Sequence, residues 1–387
     1  MNITHVLGHN SSWNIESYLN HDIGDYFLIT AYTHGINYDS KKSFRNILDV
    51  SMIDLQFYGK RDSGDITGGK LSEFTFHPAN CNANEVTSVY FDNCLKQAVM
   101  FQKEKGFKNI IIPHFYENED VKDIIDTIKK INKYIGKVKQ DEGVKYFMTL
   151  AFANHIIIDK NKVEEILFAC TDMDIVFDGY FVTCENKPEY KRKLTTDMKV
   201  LRNLSKVLKT LKVQEFETIY AYANWDALIM LAQTDIDYIT IGTYENLRKF
   251  DIKRFTEDQS GGGSKGYYFS EKLLNMIKAD DLTNIRDTGN LSLIQNSRNI
   301  FSDIILAPGY VWNIHKPDVN KNYLLSIDRL LTEVGSINSL DKRKDYVLEL
   351  IDNAIKRYDI LEARHVYMDN ESSNYHLNTW KTYLRSI

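Results

Sequence analysis

Two glutamates stand in nearly identical short motifs and are the most suggestive acid–base candidates in the chain. Glu185 lies in TCEN and Glu245 lies in TYEN. Two carboxyl groups that face each other across a site can cleave a glycosidic bond, one as the acid and the other as the base or nucleophile. We therefore predict Glu185 and Glu245 as catalytic residues. The alternative is that each is a solvated carboxylate, or one paired with Lys187 or Arg248.

Three histidines, His34, His114 and His155, directly follow apolar runs that have the composition of strands. Imidazole titrates near neutral pH, so these residues are predicted to polarise the substrate, and His77 could fold over them from a long insertion. The chain contains neither HxH nor HExxH. A divalent metal therefore stays an open alternative with unknown ligands, beside the interpretation that each histidine only makes hydrogen bonds.

A glycine-rich run, SGGGSKG, occupies residues 260–266. The loops after the last strands of a barrel often bind phosphate through backbone N–H groups that only glycine leaves accessible. We predict that Ser264, Lys265 and Gly266 hold an anionic group of the substrate. Neither GxGxxG nor a P-loop is present, and a GGGS run is also typical of an engineered linker, which the sequence leaves open.

Polar residues at other predicted strand ends complete the predicted site. They are Lys60 and Asp62 after the second apolar run, and Asn154, Asn224, Asp226 and Arg248 farther along the chain. In parallel barrels the active site lies at the carboxyl ends of the strands, so we predict that the last four bind substrate. Asn154, Asn224 and Asp226 have an alternative interpretation, because Asn and Asp also cap the next helix.

The elements that would position these residues follow a repeated βα pattern. Eight apolar, β-branched or aromatic runs span residues 26–32, 52–58, 109–114, 146–152, 175–183, 218–223, 237–242 and 266–270. Eight successive βα units favour closure into a (β/α)8 TIM-like barrel, and a doubly wound parallel sheet is the alternative.

Amphipathic segments between and after these runs predict the helices. The barrel helices are predicted at residues 84–105, 120–134, 160–170, 188–211, 225–233 and 270–278, and later helices at 320–334 and 341–358. We divide the chain into a barrel, residues 1–280, and a helical C-terminal extension packed on it, residues 281–387. The last predicted helix starts after Ser339 and has one apolar side, which must pack against the barrel or against a second protomer of the same or another protein.

One segment, residues 187–212, is strongly basic. It carries nine Lys and Arg against Glu189 and Asp197. The expected structure is a solvated helix face, and the alternative is a surface that contacts a nucleic-acid backbone or an acidic partner. The whole chain has a formal charge of −5, which provides no general attraction to nucleic acid or to an anionic membrane.

Composition places the chain among ordinary globular proteins, with 43% hydrophobic and 26% charged residues. Four cysteines without a CxxC pair are too sparse for a disulfide scaffold. The sequence has no basic N-terminal region followed by an apolar run, and no apolar stretch long enough for a membrane span. We therefore predict a cytoplasmic protein without membrane contact.

Three motifs in the second half of the chain resemble the barrels of tRNA-guanine transglycosylases. They are FDGY at residues 177–180, NWD at 224–226 and DYIT at 237–240. The resemblance implies aspartates at strand ends that take part in the exchange of a base. Those enzymes carry zinc-binding cysteines and a histidine after the barrel, which have no counterpart here, and Thr183 and Cys184 replace their glycine pair. We therefore assign the chain to no family.

Together these features predict a barrel enzyme that cleaves or transfers a glycosidic or phosphate-bearing group, as a hydrolase or as a glycosyl or base transferase. Its substrate would be a small molecule or nucleotide-like. The alternative function is a catalytically silent barrel that serves as a subunit of a larger protein or nucleic-acid assembly. An open pocket at the polar strand ends favours the enzyme, whereas side chains that plug the strand ends favour the silent subunit.

Overall fold

Eight parallel strands form the centre of the computed structural model, which describes residues 1–58, 68–78, 80, 90–114, 120–139, 143–256, 266–313 and 315–387. The strands are Asn2–Leu7 (β1), Tyr26–Thr30 (β2), Ser51–Asp54 (β3), Asn109–Ile112 (β4), Lys145–Phe152 (β5), Gly179–Cys184 (β6), Glu217–Tyr220 (β7) and Tyr238–Gly242 (β8). Each is almost entirely buried, as strands covered by helices must be.

The order of hydrogen-bonded strands is β3-β2-β1-β8-β7-β6-β5-β4, and every neighbouring pair is parallel. The two outermost strands of this order, β3 and β4, lie against each other, so the sheet is a nearly closed barrel. The predicted (β/α)8 TIM-like barrel is confirmed. All carboxyl ends of the strands therefore meet at one end of the barrel, where active sites of this fold lie.

The first strand of the barrel, β1, was not predicted. Its sequence NITHVL places Thr4 and His5 among apolar residues, which hides the strand pattern. Both side chains are nevertheless buried, and His5 Nε2 lies 2.7 Å from the carbonyl oxygen of Ile23. A buried polar residue that is satisfied inside the protein, as His5 is, cannot be distinguished in sequence from a solvated one.

The predicted eighth barrel strand is wrong, because that segment lies outside the barrel. Tyr267–Ser270 (β9) pairs antiparallel with Asn275–Lys278 (β10) in a separate two-stranded hairpin. The helix predicted at residues 270–278 is therefore also wrong. Short aromatic runs form either type of strand, and the two-residue period does not reveal the pairing direction.

Helices surround the barrel between its strands. Their bounds are Ser11–His21, Ala31–His34, Lys42–Arg45, Lys96–Glu104, Val121–Val138, Asn154–Ile157, Lys160–Cys170, Met198–Val213, Ala227–Leu231 and Lys253–Thr256. The helix predicted at residues 188–211 begins only at Met198, because the Asp197 side chain accepts a hydrogen bond from Lys199 N at 2.8 Å and caps it. Residues 188–197 are not helical, so that part of the prediction is wrong.

Five helices follow the hairpin. They are Ala279–Asp287, Ile300–Leu306, Pro317–Gly335, Leu340–Ala363 and Leu377–Arg385. Ser339 caps the fourth of them, as its sequence predicts. Helix Pro317–Gly335 packs on β1 and β8, so a helix from the C-terminal region covers the seam between the first and last barrel strands. The division of the chain at residue 280 stays a prediction.

Within the ranges described above, none of the helices combines the length and the apolarity that crossing a membrane requires.

Candidate functional site

Polar side chains alternate with apolar ones directly after β3 and β7. Asp54 is the last residue of β3, and Gln56 and Tyr58 follow it at every second position. Tyr220 ends β7, and Tyr222, Asn224 and Asp226 continue with the same spacing. Gln56 and Tyr222 have positive φ values, so neither segment stays extended, and the alternation alone does not put these side chains on one side. Both series lie at the barrel end where the carboxyl ends of the strands meet, which makes this region the candidate active site.

Asp54 is the most constrained carboxyl group of this region. It is only 2% exposed. Its Oδ1 accepts a hydrogen bond from Gln56 N at 2.9 Å, its Oδ2 accepts one from Tyr222 Oη at 2.8 Å, and Tyr58 Oη lies 3.3 Å from both oxygens. Burial raises the pKa of Asp54 to about 6, although the hydrogen bond from Tyr222 opposes this shift. Asp54 can therefore exchange a proton near neutral pH.

The two residues beside Asp54 have strained backbones. Gln56 has φ 56° and Tyr222 has φ 53°, a left-handed conformation that non-glycine residues rarely adopt. Gln56 Nε2 donates to Tyr222 Oη at 2.7 Å, and Gln56 Oε1 accepts from Tyr32 N at 2.8 Å. Each such residue costs about 1 to 3 kcal/mol, and strain of this kind clusters at functional sites.

Asp226 is a second buried carboxyl group at the same end of the barrel. Its Oδ2 accepts a hydrogen bond from Tyr220 Oη at 3.0 Å, and its Oδ1 accepts one from Asn224 N at 3.1 Å. Burial raises the pKa of Asp226 as well. The side chains of Asn154, Asn224 and Asp226 do not cap the following helices, so the capping interpretation of these residues is wrong.

A narrow cavity lies beside the ends of β6 and β7, next to Val200, Leu201 and Leu204 of helix Met198–Val213. Its walls include Thr183, Cys184, Lys193, Tyr220, Tyr222, Asn224, Asp226, Arg248 and Phe250. The free space has room for about one water molecule. Tyr222 connects the cavity to Asp54, because it is one of the lining residues and its hydroxyl group donates to the carboxylate.

Two buried arginines follow β8 at this site. Arg248 lines the cavity and stacks its guanidinium over the ring of Tyr323, with Cζ 4.6 Å from the ring centroid. Arg254 stacks over Tyr32 at 4.9 Å, and its positive charge opposes the raised pKa of Asp54. The candidate site thus contains protonable carboxyl groups, phenols and guanidinium groups.

The two predicted catalytic glutamates are held by separate lysines. Glu185 lies 3.4 Å from Lys187 Nζ, and its Oε2 accepts a hydrogen bond from Asn154 N at 3.2 Å. Glu245 pairs with Lys193 at 2.8 Å. Burial raises the pKa of Glu245, but nearby cations outweigh burial and leave it lowered. A lowered pKa keeps Glu245 ionised near neutral pH, which suits a base better than an acid. The catalytic roles of both residues stay predictions.

The predicted histidines have different surroundings. His34 packs on Phe44 with ring centroids 4.7 Å apart, and burial lowers its pKa to about 4. Burial also lowers the pKa of His114 to about 4, whereas His155 is exposed. His77 is the histidine in contact with the candidate site, since its Nε2 lies 3.4 Å from the carbonyl oxygen of Gln56.

Metal ligands do not gather in the part of the chain that the structure describes. No group of three or more His, Cys, Asp or Glu side chains there could hold an ion. The predicted anion loop falls largely outside the described residues, as do Lys60 and Asp62. Ser264 and Lys265 are not described, and Gly266 directly precedes β9 with φ 96°.

Most of the basic segment is neutralised locally. Five of its nine cations form ion pairs, namely Lys187 with Glu185, Arg192 with Glu189, Lys193 with Glu245, Lys206 with Glu164 and Lys212 with Asp237. Lys199, Arg202 and Lys209 remain exposed on helix Met198–Val213. The positive surface is therefore smaller than the sequence indicates.

Asp54, Gln56 and Tyr222 are the candidate residues that sequence reasoning missed. The strand predicted at residues 52–58 is too long, so Asp54 lies in its interior. The predicted site residues after it were therefore Lys60 and Asp62. The signal that could have found them is the alternation of polar and apolar residues in DLQFY and YAYANWD, at the ends of two strands. Comparison with protein-family models and with curated proteins gives no match for the chain.

Proposed function

We propose that the chain is a barrel enzyme that cleaves or transfers a glycosidic group, with Asp54 and Asp226 as its acid–base pair. The observation that supports this most strongly is Asp54 itself, a buried carboxyl group with a pKa of about 6 at the end of a barrel strand. Perturbed pKa values at the mouth of a barrel are typical of catalytic groups. Burying a carboxyl group is costly, and the strained backbones of Gln56 and Tyr222 add to this cost.

The two carboxyl groups suit complementary roles. Asp54 is partly protonated near neutral pH and can donate a proton to the oxygen or nitrogen of a leaving group. Asp226 can act as the base or nucleophile only in its ionised form, which burial opposes and which the hydrogen bonds from Tyr220 and Asn224 N favour. Asp226 also lies in the NWD motif that resembles base-exchanging transglycosylases, which favours a glycosyl or base transferase within this class.

Turnover of a substrate panel tests this proposal. The panel consists of p-nitrophenyl glycosides and purine and pyrimidine nucleosides, with release of nitrophenol or of the free base as the readout. Asp54→Asn and Asp226→Asn should each lower turnover at least about 100-fold, because the amide cannot exchange a proton. Asp328→Asn is the matched control, since burial also raises the pKa of Asp328 to about 6 on helix Pro317–Gly335. Activity of Asp54→Asn within threefold of the wild type would contradict the proposal.

The glutamate pair is the competing acid–base assignment within the same function. The variants Glu185→Gln and Glu245→Gln are measured in the same turnover assay. If they abolish turnover while Asp54→Asn and Asp226→Asn retain it, the glutamates are the catalytic pair. If the aspartate variants lose turnover and the glutamate variants keep it, our assignment holds.

A catalytically silent barrel subunit is the second candidate function. The observation in its favour is the narrow cavity, in which Tyr220, Tyr222 and Phe250 occupy space that a sugar would need. This candidate predicts no turnover of any member of the panel. It also predicts that opening the mouth by Tyr222→Ala creates no activity and only lowers stability.

A further inference from the structure

The guanidinium of Arg248 has one edge without a protein partner. Its Nη1 donates to the carbonyl oxygens of Gly242 at 3.1 Å and Thr243 at 2.8 Å. Its buried Nε has no acceptor among the residues that the structure describes, and none of their carboxylates forms an ion pair with it. Arg248 is nevertheless only 6% exposed. A buried charge without a counter-charge is costly, so an acceptor is expected here.

Another buried arginine shows how this fold satisfies a guanidinium that has a structural role. Arg343 is 2% exposed. Its Nε and Nη2 donate to Ile337 O at 3.1 and 2.8 Å, and its Nη1 pairs with Asp235 at 3.0 Å. All three nitrogens of Arg343 are bonded, and a carboxylate balances its charge. Arg254, which is also 6% exposed, has a buried Nε without an acceptor among the described residues as well, so a bare edge occurs in both arginines that follow β8 at the candidate site, whereas Arg343 is fully bonded.

A second buried donor lies beside Arg248. Tyr323 lies under the guanidinium, is 2% exposed, and its hydroxyl group has no hydrogen-bond partner among the described residues. The ring of Tyr323 and the carbonyl oxygens of Gly242 and Thr243 fix the plane of the guanidinium. A guanidinium held in this way is preorganised, so its free Nε–Nη2 edge can bind two oxygens without first losing side-chain entropy.

The surrounding charges favour an anion, but the cavity as it stands has room for about one water molecule, so side chains of its wall must move to admit a phosphate or carboxylate group. Lys193 and Lys249 lie in the same cavity wall as Arg248. Glu245 is the carboxylate whose charge acts on Arg248, and it is already paired with Lys193. Asp226 also lines the cavity, but its carboxylate is satisfied by Tyr220 and Asn224. The bare guanidinium edge is thus the strongest unpaired hydrogen-bond donor of this wall.

We propose that Arg248 and Tyr323 bind an anionic oxygen group of the ligand, either a phosphate or a carboxylate. The flat Nε–Nη2 edge matches two oxygens of such a group. The inference rests on the proposed function for the position of the ligand, and it adds that the glycosyl substrate is anionic, as a sugar phosphate or a sugar acid. The anion site proposed at Arg248 does not depend on the glycine-rich run, where the sequence predicts anion binding.

Thermal unfolding with four sugars tests this inference at constant ionic strength. Ribose 5-phosphate and glucuronate are the anionic probes, and ribose and glucose are the uncharged controls. The wild type should gain at least about 2 °C in Tm with one or both anionic sugars and nothing with the uncharged ones. A response to ribose 5-phosphate alone identifies a phosphate group, and a response to glucuronate alone identifies a carboxylate. The absence of both responses would overturn the inference.

Three variants decide whether Arg248 is responsible. Arg248→Met should abolish the response and, because an unpaired buried charge is removed, raise the Tm of the free protein. Arg248→Lys keeps the charge but loses the planar pair of N–H donors, and it should weaken binding at least about tenfold. Arg202→Met, on the exposed face of helix Met198–Val213, should change neither quantity. If Arg248→Met retains the response, the anion binds elsewhere.

The sign of the stability change distinguishes a ligand-binding arginine from a structural one. Arg343→Met should lower the Tm, because it breaks an ion pair and several hydrogen bonds to carbonyl oxygens. If Arg248→Met lowers the Tm as Arg343→Met does, Arg248 is structural and the inference fails. Asp54→Asn should keep the anion response while it loses turnover. If turnover depends on Asp54 but no anionic sugar raises the Tm, the anion site is refuted and the proposed function is not.

Discussion

Replacing Asp54 by asparagine should remove a specific pH dependence from the stability of the fold. Burial raises the pKa of Asp54 from 3.8 to about 6 in the folded protein. The folded protein therefore binds this proton more tightly than the unfolded chain does. Its stabilising contribution is complete below about pH 4, falls as the pH rises to about 6, and stays constant above that. Asparagine does not titrate, so the variant lacks this loss.

The size of the effect follows from the two pKa values. Their difference corresponds to about 3 kcal/mol, since each pKa unit is worth about 1.4 kcal/mol. Because the unfolded side chain is still partly protonated at pH 4, about 2 to 3 kcal/mol should be lost between pH 4 and pH 7. The free energy of unfolding of the wild type, minus that of Asp54→Asn, should fall by this amount over the same interval.

Urea unfolding at pH 4, 5, 6 and 7, followed by tryptophan fluorescence, measures this difference. Other titrating groups cancel in the comparison of wild type and variant. Asp328→Asn serves as a second probe, since Asp328 also has a pKa raised to about 6. If the difference between the wild type and Asp54→Asn stays constant from pH 4 to pH 7, Asp54 has an ordinary pKa and the electrostatic basis of the proposed site is wrong.

Two further predictions concern the segment after β8 and the basic helix. Gly242→Ala should destabilise the fold by at least about 2 kcal/mol in urea unfolding, because its Cβ would lie 2.7 Å from the carbonyl oxygen of Leu247; an unchanged midpoint would show that this segment moves freely. Reversing the charge of Lys199, Arg202 and Lys209 together should leave the Tm within about 2 °C, and it should abolish any retention on heparin if this exposed face binds nucleic acid. A large loss of Tm would show that the face is packed.

The barrel could be predicted because its elements repeat. Seven of the eight barrel strands lie within or beside the predicted runs, and the leucines of helix Met198–Val213 are buried, as its amphipathic sequence predicts. The failures occurred where local pattern carries no information about pairing. Thr4 and His5 hide β1 because they interrupt its apolar pattern, and β9 has the composition of a barrel strand but forms a hairpin.

The candidate site was less predictable than the fold, for a physical reason. Asp226 and Arg248 were recognised because they follow strands. Asp54 was not, because its importance comes from Tyr222, which lies 168 residues away in sequence and donates to its carboxylate. The pKa of Asp54 is raised by its burial in the folded protein, and the strained backbone of Gln56 lies two residues along the chain; no local motif encodes either.

The pH dependence of kcat/KM for the best substrate of the panel tests the central claim most directly. If Asp54 donates the proton to the leaving group, kcat/KM of the wild type should fall tenfold per pH unit above about pH 6, because the carboxyl group must be protonated in the free enzyme. The residual activity of Asp54→Asn should lack this fall, and Asp328→Asn should retain it. The same fall near pH 6 in Asp54→Asn would show that another group supplies the proton and would contradict the claim.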